Sequence, residues 1–507
     1  MNVAAHIFDP GEPRRMLEEQ ILPAYIAGCR WFGGKARAPL KFAVAELLRV
    51  PGASDEARLA LVRIEYGDGT SDWYQLALQV ARSGDAERIA AEFPQAVVTQ
   101  FDDALLFDAL YDAGFRDALV ALIAGNARAG GLVGLAGTTL PHLLGGGALP
   151  LPSRVLKVEQ SNSSVIYGDG LFLKIFRKLA EGANPDAEIL RFLTERRGFA
   201  HAPPFGGELE FHAPGCAPRL LALGIGVVPN DGDAWSFVLR ELAGFYNRID
   251  ASACDDDAVR AAVGAEFFSR AAQLGQRTGE MHVALSGEAT DPDFSPEPFT
   301  LADQRELADA ITVSVARVFA LLRERLAAFA PELRADVERL LSAEPGLRAR
   351  ADALAASGIS AAKTRHHGDY HLGQVLNTGG DFTIIDFEGE PSRPLAERRR
   401  KRSPLRDVAG MLRSFHYAAH SALPRERAAL RPAAEAWSRL VGGTFLDAWR
   451  GAVAGAPFVP RDPADADRLL AGFLIEKAVY ELDYELNNRP DWLAIPVRGL
   501  LGLLASR

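Results

Sequence analysis

The sequence has few cysteines and no long uncharged apolar run. Its three cysteines, Cys29, Cys216 and Cys254, lie far apart and form no CxxC pair, which argues against a disulfide framework and a cysteine-based zinc site. The most apolar zone, ALVALIAGNARAGGLVGLAG, is interrupted by Asn126 and Arg128, so no uncharged span of ~18 residues exists to cross a bilayer. We therefore expect a protein of a reducing compartment without a membrane partner.

Excess positive charge is also lacking. The formal net charge is -10, which argues against nucleic acid as the main partner because phosphate binding needs a basic face. The N-terminal stretch MNVAAHIFDPGEPRR has prolines and acids where a signal peptide would need an apolar run, so we expect a cytoplasmic location. A chain of 507 residues that is 48% hydrophobic is long enough for two or three domains with large cores.

The hydrophobic pattern changes along the chain. Residues 40–100 alternate between apolar and polar positions, which predicts a small antiparallel sheet, whereas residues 101–125 read as helical. From 153 to 230 the pattern is strand, turn, strand, helix and strand, and Asn184 and Pro185 predict the cap and first turn of that helix. Beyond 231 the chain is mostly helical. A β-rich part followed by a helix-rich part predicts an α+β fold.

One stretch, RHHGDYHLGQVLNTGGDFTIIDFEGE, concentrates histidines and acids around two short apolar runs. The runs GQVLN and FTIID predict strands, and NTGGD between them predicts a hairpin turn. Asp369 lies just before the first strand and Gln374 near its start. Asp386 and Glu388 end the second strand, and on an extended chain we expect them to point the same way. Clustered acids repel one another unless a cation is present, and oxygen ligands favour magnesium over zinc.

The spacing of these residues matches that of a kinase catalytic loop. In kinases a base precedes a metal-binding amide by five residues, and a metal-binding aspartate follows after a hairpin. Asp369, Gln374 and Asp386 stand in that order. Upstream, Lys174 in LFLKIF and Glu188 in NPDAEIL take the places of the kinase lysine and of the helical acid that orients it. The order of these elements predicts phosphoryl transfer.

The stretch EQSNSSVIYG precedes the strand of Lys174, where kinases place a loop over the phosphates. It offers hydroxyls and backbone amides in place of the usual glycines. The residues that we expect to contact phosphate are Ser161, Asn162, Ser163 and Ser164.

Each of these elements also has a purely structural interpretation. His366 and His371 are equally at home as core or turn histidines, and Lys174 with Glu188 could form a surface ion pair worth under ~1 kcal/mol. The acids that end the second strand could be solvated turn residues. The kinase interpretation is favoured because the elements occur together in the correct order.

Several stretches, taken together, resemble the bacterial maltokinases, relatives of the aminoglycoside phosphotransferases and eukaryotic-like kinases. They run almost from end to end and include LPAYIAGCRWFGGKAR, EQSNSSVIYGDGLFLKIFR, GQRTGEMHVAL, HGDYHLGQVL, IDFEGEP, SPLRDVAGMLRSFHYAA and EKAVYELDYELNNRPDWLAIP. The resemblance implies transfer of the ATP γ-phosphate to the anomeric hydroxyl of maltose, giving maltose 1-phosphate for α-glucan synthesis. It also implies a bilobal kinase-like fold. Its expected parts are a cap subdomain at 1–105, an intermediate lobe at 106–230 and a helical lobe at 231–507.

The resemblance also implies a role for each matching residue. Asp369 would be the catalytic base, with Mg²⁺ held by Gln374 and Asp386 and assisted by Glu388. Lys174 would hold the ATP phosphates and Glu188 would fix its rotamer. The adenine hinge would comprise Ile225, Gly226, Val227 and Val228.

The helix EKAVYELDYELNN places Lys477, Tyr480 and Tyr484 on one face. Aromatic rings beside a donor suit a sugar, and the resemblance implies the same acceptor role for these residues and for His371. The structural alternative is core packing with the hydroxyls at the rim.

Three questions stay open at this level. The acceptor could be another sugar, such as glucosamine, because the phosphate-handling motifs do not report the acceptor pocket. The chain could also be a non-catalytic kinase-like partner of trehalose synthase, although the intact catalytic residues argue against this. The basic run Arg398–Arg402 could meet an anion or line the acceptor mouth, but a solvated loop is favoured.

Overall fold

The computed structural model describes residues 3–147, 149–156, 161–251, 254–287, 291–356 and 358–505. The chain divides into two units, Met1–Val227 and Val228–Arg507. Among the residues so described, no helix has both the length and the apolar character needed to span a membrane.

Unit 1, Met1–Val227, is built mainly of antiparallel strands. The strands are β1 (Pro39–Leu48), β2 (Ala57–Tyr66), β3 (Ser71–Arg82), β4 (Val97–Gln100), β5 (Ala104–Asp108), β6 (Arg128–Ala129), β7 (Leu132–Ala136), β8 (Ser153–Val155), β9 (Ser163–Tyr167), β10 (Leu171–Ile175), β11 (Lys178–Leu179), β12 (Phe205–Phe211) and β13 (Arg219–Gly226). The α-helices are α1 (Glu12–Met16), α2 (Leu22–Gly28), α3 (Ser83–Glu92), α4 (Ala113–Ala124), α5 (Leu140–Leu143) and α6 (Pro185–Arg191).

The strands of unit 1 form two sheets. The first has the order β1-β2-β3-β5-β4, with β11 also paired to β3, and the second has the order β6-β7-β12-β13-β10-β9-β8. In the first sheet Val62, Ile64 and Leu76 belong to a core that includes Leu22 of α2. Residues 74–81 of β3 are all buried, so both faces of the predicted sheet are covered at its centre.

Two buried polar side chains join the sheets of unit 1. Gln75 on β3 donates hydrogen bonds to the carbonyl oxygens of Phe176 (2.6 Å) and Leu221 (2.5 Å). Arg177, just after β10, forms a buried ion pair with Asp108 at the end of β5. A buried guanidinium needs such a partner, because an unpaired buried charge is costly.

The prediction of helix over 101–125 is correct only in its second half. Residues 104–108 form β5, which pairs with β3, and the helix α4 begins at Ala113. Every residue of β5 is buried, so the segment lacks the apolar-polar alternation that identifies a half-buried strand.

Unit 2, Val228–Arg507, is mainly helical. Its α-helices are α7 (Ala234–Arg248), α8 (Asp256–Val263), α9 (Ala265–Leu285), α10 (Leu301–Arg325), α11 (Pro331–Ser342), α12 (Glu344–Ala355), α13 (Leu395–Arg398), α14 (Leu405–Ser421), α15 (Arg431–Ala452), α16 (Pro463–Asn488) and α17 (Ala494–Ala505). Its strands are β14 (Glu297–Pro298), β15 (Ala362–Lys363), β16 (Val375–Asn377) and β17 (Phe382–Ile384).

Helices α9 and α15 approach each other closely at two glycines. A Cβ atom on Gly275 would lie 2.1 Å from the carbonyl oxygen of Phe445, and one on Gly279 would lie 2.6 Å from Cβ of Ala452. Both glycines belong to the stretch GQRTGEMHVAL. Their missing side chains allow the two helix backbones to come together.

We expect Gly275→Ala to lower the free energy of unfolding by ~1–3 kcal/mol, because the added methyl group would overlap a backbone carbonyl that cannot rotate away. Thermal unfolding of the purified protein measures this effect. The matched control is Gly443→Ala in α15, where a Cβ atom would meet nothing within 4 Å. The control should raise stability by up to ~1 kcal/mol through its better helix propensity. Equal melting temperatures for the two variants would contradict the close-packing interpretation.

Candidate active site

The hairpin predicted in the HGD stretch is present in unit 2. β16 and β17 pair antiparallel, with Val375 opposite Ile384 and Asn377 opposite Phe382. The turn between the strands is fixed by Asp381, whose carboxylate accepts hydrogen bonds from Arg277 of α9 at 2.8 and 2.9 Å. The hairpin prediction is therefore confirmed, and α9 holds the turn in place.

The hairpin brings together the residues predicted to bind magnesium. The side-chain amide of Gln374 donates a 2.9 Å hydrogen bond to Asp386 Oδ2. A carboxylate oxygen of Asp386 and one of Glu388 lie within 4.8 Å of each other. The donor set of amide and carboxylate oxygens suits Mg²⁺.

The expectation of an extended chain at Asp386 is wrong. Asp386 has a φ of +65°, which lies in the left-handed region that Asp and Asn tolerate better than other non-glycine residues. The two acids are thus brought together by a sharp turn at the end of β17, and not by the two-residue repeat of a strand.

The backbone before Asp369 is held by the buried carboxylate of Asp407 at the start of α14. Asp407 accepts hydrogen bonds from the backbone N–H of His367 (2.7 Å) and of Gly368 (2.9 Å). Gly368 has a φ of +87°, and a Cβ atom there would lie 3.2 Å from Cα of Gly389. A glycine is required at this position for both reasons.

Asp407 is itself supported by two buried aromatic groups. His282 of α9 lies 3.0 Å from Asp407 Oδ2, and Trp449 of α15 donates a 2.9 Å hydrogen bond from its indole N–H to Nδ1 of His282. That bond leaves the proton of a neutral His282 on Nε2, which donates to Asp407. Burial alone would raise the pKa of Asp407, but the neighbouring imidazoles of His366 and His282 hold it well below its usual range. Asp407 therefore stays ionised.

His367 links the HGD loop to the end of β17. Its Nε2 atom lies 2.9 Å from the carbonyl oxygen of Ile385 and donates to it, and its ring packs between those of Tyr370 and Phe387. Tyr370 is also fixed, since its hydroxyl lies 2.8 Å from that of Thr278. The histidine of HGD thus has a positioning role.

The carboxylate of Asp369 faces a lysine and a histidine. Lys477 Nζ lies 3.7 Å from Asp369 Oδ1, and His371 Nε2 lies 4.0 Å from Oδ2. Burial lowers the pKa of His371 below its ordinary value, with Asp369 opposing the shift and Lys477 adding to it. The side chain of Asp369 is 22% exposed, so a substrate hydroxyl can reach it.

The aromatic residues predicted for acceptor binding lie on the surface of α16. Tyr480 and Tyr484 are 40% and 43% exposed, so the interpretation as core packing is wrong for both. Lys477 Nζ lies 5.1 Å from the centroid of the Tyr480 ring. Burial of the hydroxyl, together with Glu390 and Asp369, raises the pKa of Tyr480, which keeps it a neutral hydrogen-bond donor.

Four of the five residues in the basic run Arg398–Arg402 form ion pairs with acids of unit 2. Arg398 lies 3.6 Å from Glu388, and Arg400 forms a two-pronged ion pair with Glu306 at 2.6 and 2.8 Å. Arg399 lies 3.4 Å from Asp293, and Lys401 lies 2.7 Å from Glu297. The run consequently fastens its own loop, which disfavours a role as an anion-binding patch.

In unit 1, Lys174 of β10 is paired with Asp186 in the first turn of α6. The Nζ atom lies 3.0 Å from Asp186 Oδ2, and the side chain of Asp186 is 3% exposed. Asn184 caps the helix as predicted, because its side chain accepts a hydrogen bond from the N–H of Asp186. Glu188, the predicted partner, lies two residues after Asp186 and is half-buried. The structure thus adds Asp186 to the residues that orient Lys174.

The residues predicted to contact ATP phosphates lie at the start of β9. Ser161 and Asn162 precede the strand, and Ser164 stands opposite Lys174 across the β9–β10 pair. Ser163 accepts a 2.8 Å hydrogen bond from Arg177. Residues 159 and 160 of the same stretch lie outside the described residues.

The predicted adenine hinge coincides with the boundary of the two units. Ile225 and Gly226 end β13, and the N–H of Val227 donates a 2.9 Å hydrogen bond to the carbonyl oxygen of Gly170. Val228 is the first residue of unit 2.

Three residues with clear positioning contacts, Asp407, His282 and Asp186, are not predicted from the sequence. The first two occur in the stretches SPLRDVAGMLRSFHYAA and GQRTGEMHVAL, but neither stretch shows by itself what these side chains contact. Asp186 lies in the first turn of α6, two residues before the predicted acid Glu188. A second acid in the first turn of NPDAEIL was the available signal.

Comparisons with known proteins identify related chains. The model of the maltokinase N-terminal cap domain matches residues 25–112. The glucosamine kinase of Streptacidiphilus jiangxiensis is 30% identical over 369 residues, which cover 71% of this chain and 76% of that protein. The glucosamine kinase of Mycolicibacterium smegmatis is 29% identical over 355 residues, which cover 69% of this chain and 79% of that protein.

A solved structure is similar along nearly the whole chain. It is that of a glucosamine kinase in complex with glucosamine, ADP and inorganic phosphate, with a TM-score of 0.65 and 24% identity, covering 95% of this chain and 97% of that one. This likeness confirms the mixed α+β, kinase-like fold. Together with the 30% identity to a relative of which more than two thirds is covered, it shows that the chain belongs to the sugar-kinase family of these glucosamine kinases.

Proposed function

We propose that this protein phosphorylates maltose at its anomeric hydroxyl with ATP, giving maltose 1-phosphate for α-glucan synthesis. The observation that carries the proposal is the position of a solvent-accessible carboxylate, Asp369, beside Lys477 at an exposed aromatic surface on α16. A kinase base must be reachable by the acceptor hydroxyl. An aromatic surface suits the apolar face of a sugar.

In the proposed mechanism, Asp369 accepts the proton of the attacking hydroxyl and aligns that oxygen with the γ-phosphorus. Phosphoryl transfer needs little covalent help from the protein, so positioning and charge neutralisation supply most of the rate. When bound, Mg²⁺ would neutralise charge on the phosphates, and the residues that would hold it are Gln374, Asp386 and Glu388. His367 and Asp407 keep the loop of Asp369 in one conformation.

The proposed nucleotide contacts come from unit 1 and from Val228, the first residue of unit 2. Lys174, oriented by Asp186 and assisted by Glu188, would bind the phosphates as a point charge. Hydroxyls and amides at the start of β9 would add hydrogen bonds, and the backbone of the hinge would contact adenine. The residues in these two groups are Ser161, Asn162, Ser163 and Ser164 for phosphate and Ile225, Gly226, Val227 and Val228 for adenine.

Charge around Asp369 supports a neutral acceptor. Lys477 lies 3.7 Å from the carboxylate, so a protonated amino sugar would meet a positive charge there. The nearby acid Glu390 already has partners, with Arg393 at 2.7 Å and Arg406 at 3.8 Å. Burial raises the pKa of Glu390, but these cations reverse the effect and lower it. The charge of Glu390 is therefore already compensated by these two arginines.

The spacing of the two tyrosines supports a disaccharide. Tyr480 and Tyr484 are one helical turn apart, ~6 Å along α16, and both are exposed. One ring adjoins Lys477 and hence Asp369, and the second extends the aromatic surface further along the helix. His371 and Lys477 would donate hydrogen bonds to the sugar that reacts.

Glucosamine is the second candidate acceptor, because the relatives with 30% and 29% identity are glucosamine kinases. A cytoplasmic location and a partnership with trehalose synthase stay predictions from the sequence.

We expect Asp369→Asn to reduce kcat by ~10²-fold or more, because the amide keeps the shape of the side chain but cannot accept the proton. Release of ADP in a coupled assay with saturating maltose, ATP and Mg²⁺ measures the effect. The matched control is Asp447→Asn on α15, whose side chain is 79% exposed, and it should retain full activity. Turnover that is unchanged in Asp369→Asn would contradict the assignment of the base.

We expect Tyr484→Ala to raise KM for maltose by ~3–10-fold with little change in kcat, because it removes one aromatic face from the acceptor surface. The same assay, run with maltose and with glucosamine, measures the effect. Val313→Ala, which truncates another exposed apolar side chain of unit 2 (67% exposed), serves as control. Phosphorylation of glucosamine by the wild type with none of maltose would replace maltose by the second candidate.

A further inference from the structure

Two histidines and a glutamate meet between α14 and α15, away from the residues assigned to phosphoryl transfer. His416 and His420 are four residues apart on α14, so their rings lie on the same face, with centroids 4.4 Å apart. Glu435, in the first turns of α15, lies 3.1 Å from Nε2 of His420 and 3.9 Å from Nε2 of His416. The donor atoms of the three side chains all lie within 4.8 Å of one another.

The buried imidazoles of this cluster lack hydrogen-bond partners. His416 is 8% exposed, and within the part of the chain that the structure describes neither of its ring nitrogens has a hydrogen-bond partner. Nε2 of His420 is also buried and has no hydrogen-bond partner among the described residues, because its contact with Glu435 lacks hydrogen-bond geometry. Buried polar atoms are normally satisfied, and exceptions call for an explanation such as an ion.

We propose that His416, His420 and Glu435 form a binding site for Zn²⁺. Two histidines at i and i+4 on a helix bind zinc from one face, and a carboxylate from a neighbouring element completes a three-residue set that leaves a fourth position for water. For bonds of ~2.0–2.1 Å, tetrahedral ligand atoms lie ~3.3 Å apart. The observed spacing needs only small side-chain rotations to reach that arrangement.

The surroundings of the cluster favour a cation with imidazole ligands. Both histidines lie in the last two turns of α14, which ends at Ser421, where the helix dipole favours positive charge. The side chain of Glu435 is 50% exposed and provides a route from solvent.

The site differs in chemistry from the one proposed for Mg²⁺. Magnesium prefers oxygen ligands and octahedral geometry, whereas imidazole suits zinc and neighbouring transition metals. Excess Mg²⁺ should therefore fill the oxygen site at Gln374 and Asp386 without displacing zinc from the histidines. This difference allows the two sites to be measured separately.

Equilibrium dialysis of tag-free, reduced protein against Zn²⁺ in excess Mg²⁺, with metal content read by mass spectrometry, tests the proposal. We expect about one equivalent of zinc in the wild type. The ligand variants His420→Ala and Glu435→Gln should lose that equivalent, with affinity lowered at least ~100-fold and ~10-fold, since even outer-shell partners are worth 10–100-fold. Glu435→Gln alters a half-exposed side chain and should fold normally, which circular dichroism checks.

The matched control is His212→Ala in unit 1, which removes a histidine paired with Glu210 at 2.8 Å on an exposed surface. It should bind as much zinc as the wild type. Substitution with Co²⁺ adds a spectroscopic readout, because tetrahedral coordination gives an intense visible absorption that His420→Ala should abolish. Zinc content that is the same in the wild type, His420→Ala and Glu435→Gln, or a wild type that binds none, would overturn the proposal.

Discussion

The geometry of unit 2 depends on one buried anion, the carboxylate of Asp407. A charge removed from water must be compensated on every side, and here the compensation comes from His282 and from two backbone N–H groups of the HGD loop. The loop cannot move without leaving this charge unsatisfied. The candidate base, Asp369, is therefore held in place indirectly, because the N–H groups of the two residues before it donate hydrogen bonds to Asp407.

The local parts of this arrangement were predictable from the sequence, and the long-range parts were not. The β16–β17 hairpin follows from two apolar runs around Gly379 and Gly380, and the start of α6 follows from Asn184, because a turn or cap is decided within a few residues. The contact between His282 and Asp407 joins residues separated by 125 positions. No periodicity encodes such a pair, so it becomes visible only once α9 and α14 are packed.

The two errors in local structure have physical causes as well. β5 is buried on both faces and so shows no alternation, which removes the signal that distinguishes a strand from a helix. At Asp386 the chain turns through a left-handed residue. Sequence analysis assumes an extended chain there because apolar residues precede it, yet a short polar side chain permits the alternative.

The residues proposed to bind the acceptor and those proposed to bind the metal lie on different elements of unit 2. Gln374 and Asp386 adjoin the β16–β17 hairpin, whereas Lys477 and the two tyrosines lie on α16. Under the proposed function, changes on α16 would alter the choice of sugar without disturbing the proposed metal ligands.

The close contact at Gly275 and Gly279 also affects how Asp407 is held. α9 carries His282 and α15 carries Trp449, so the distance at which the two backbones settle fixes the distance between an imidazole and an indole. Because Gly275 and Gly279 have no side chains, the helices lie close enough for Trp449 to hold His282 against Asp407. The position of the HGD loop therefore depends in part on how closely α9 and α15 pack.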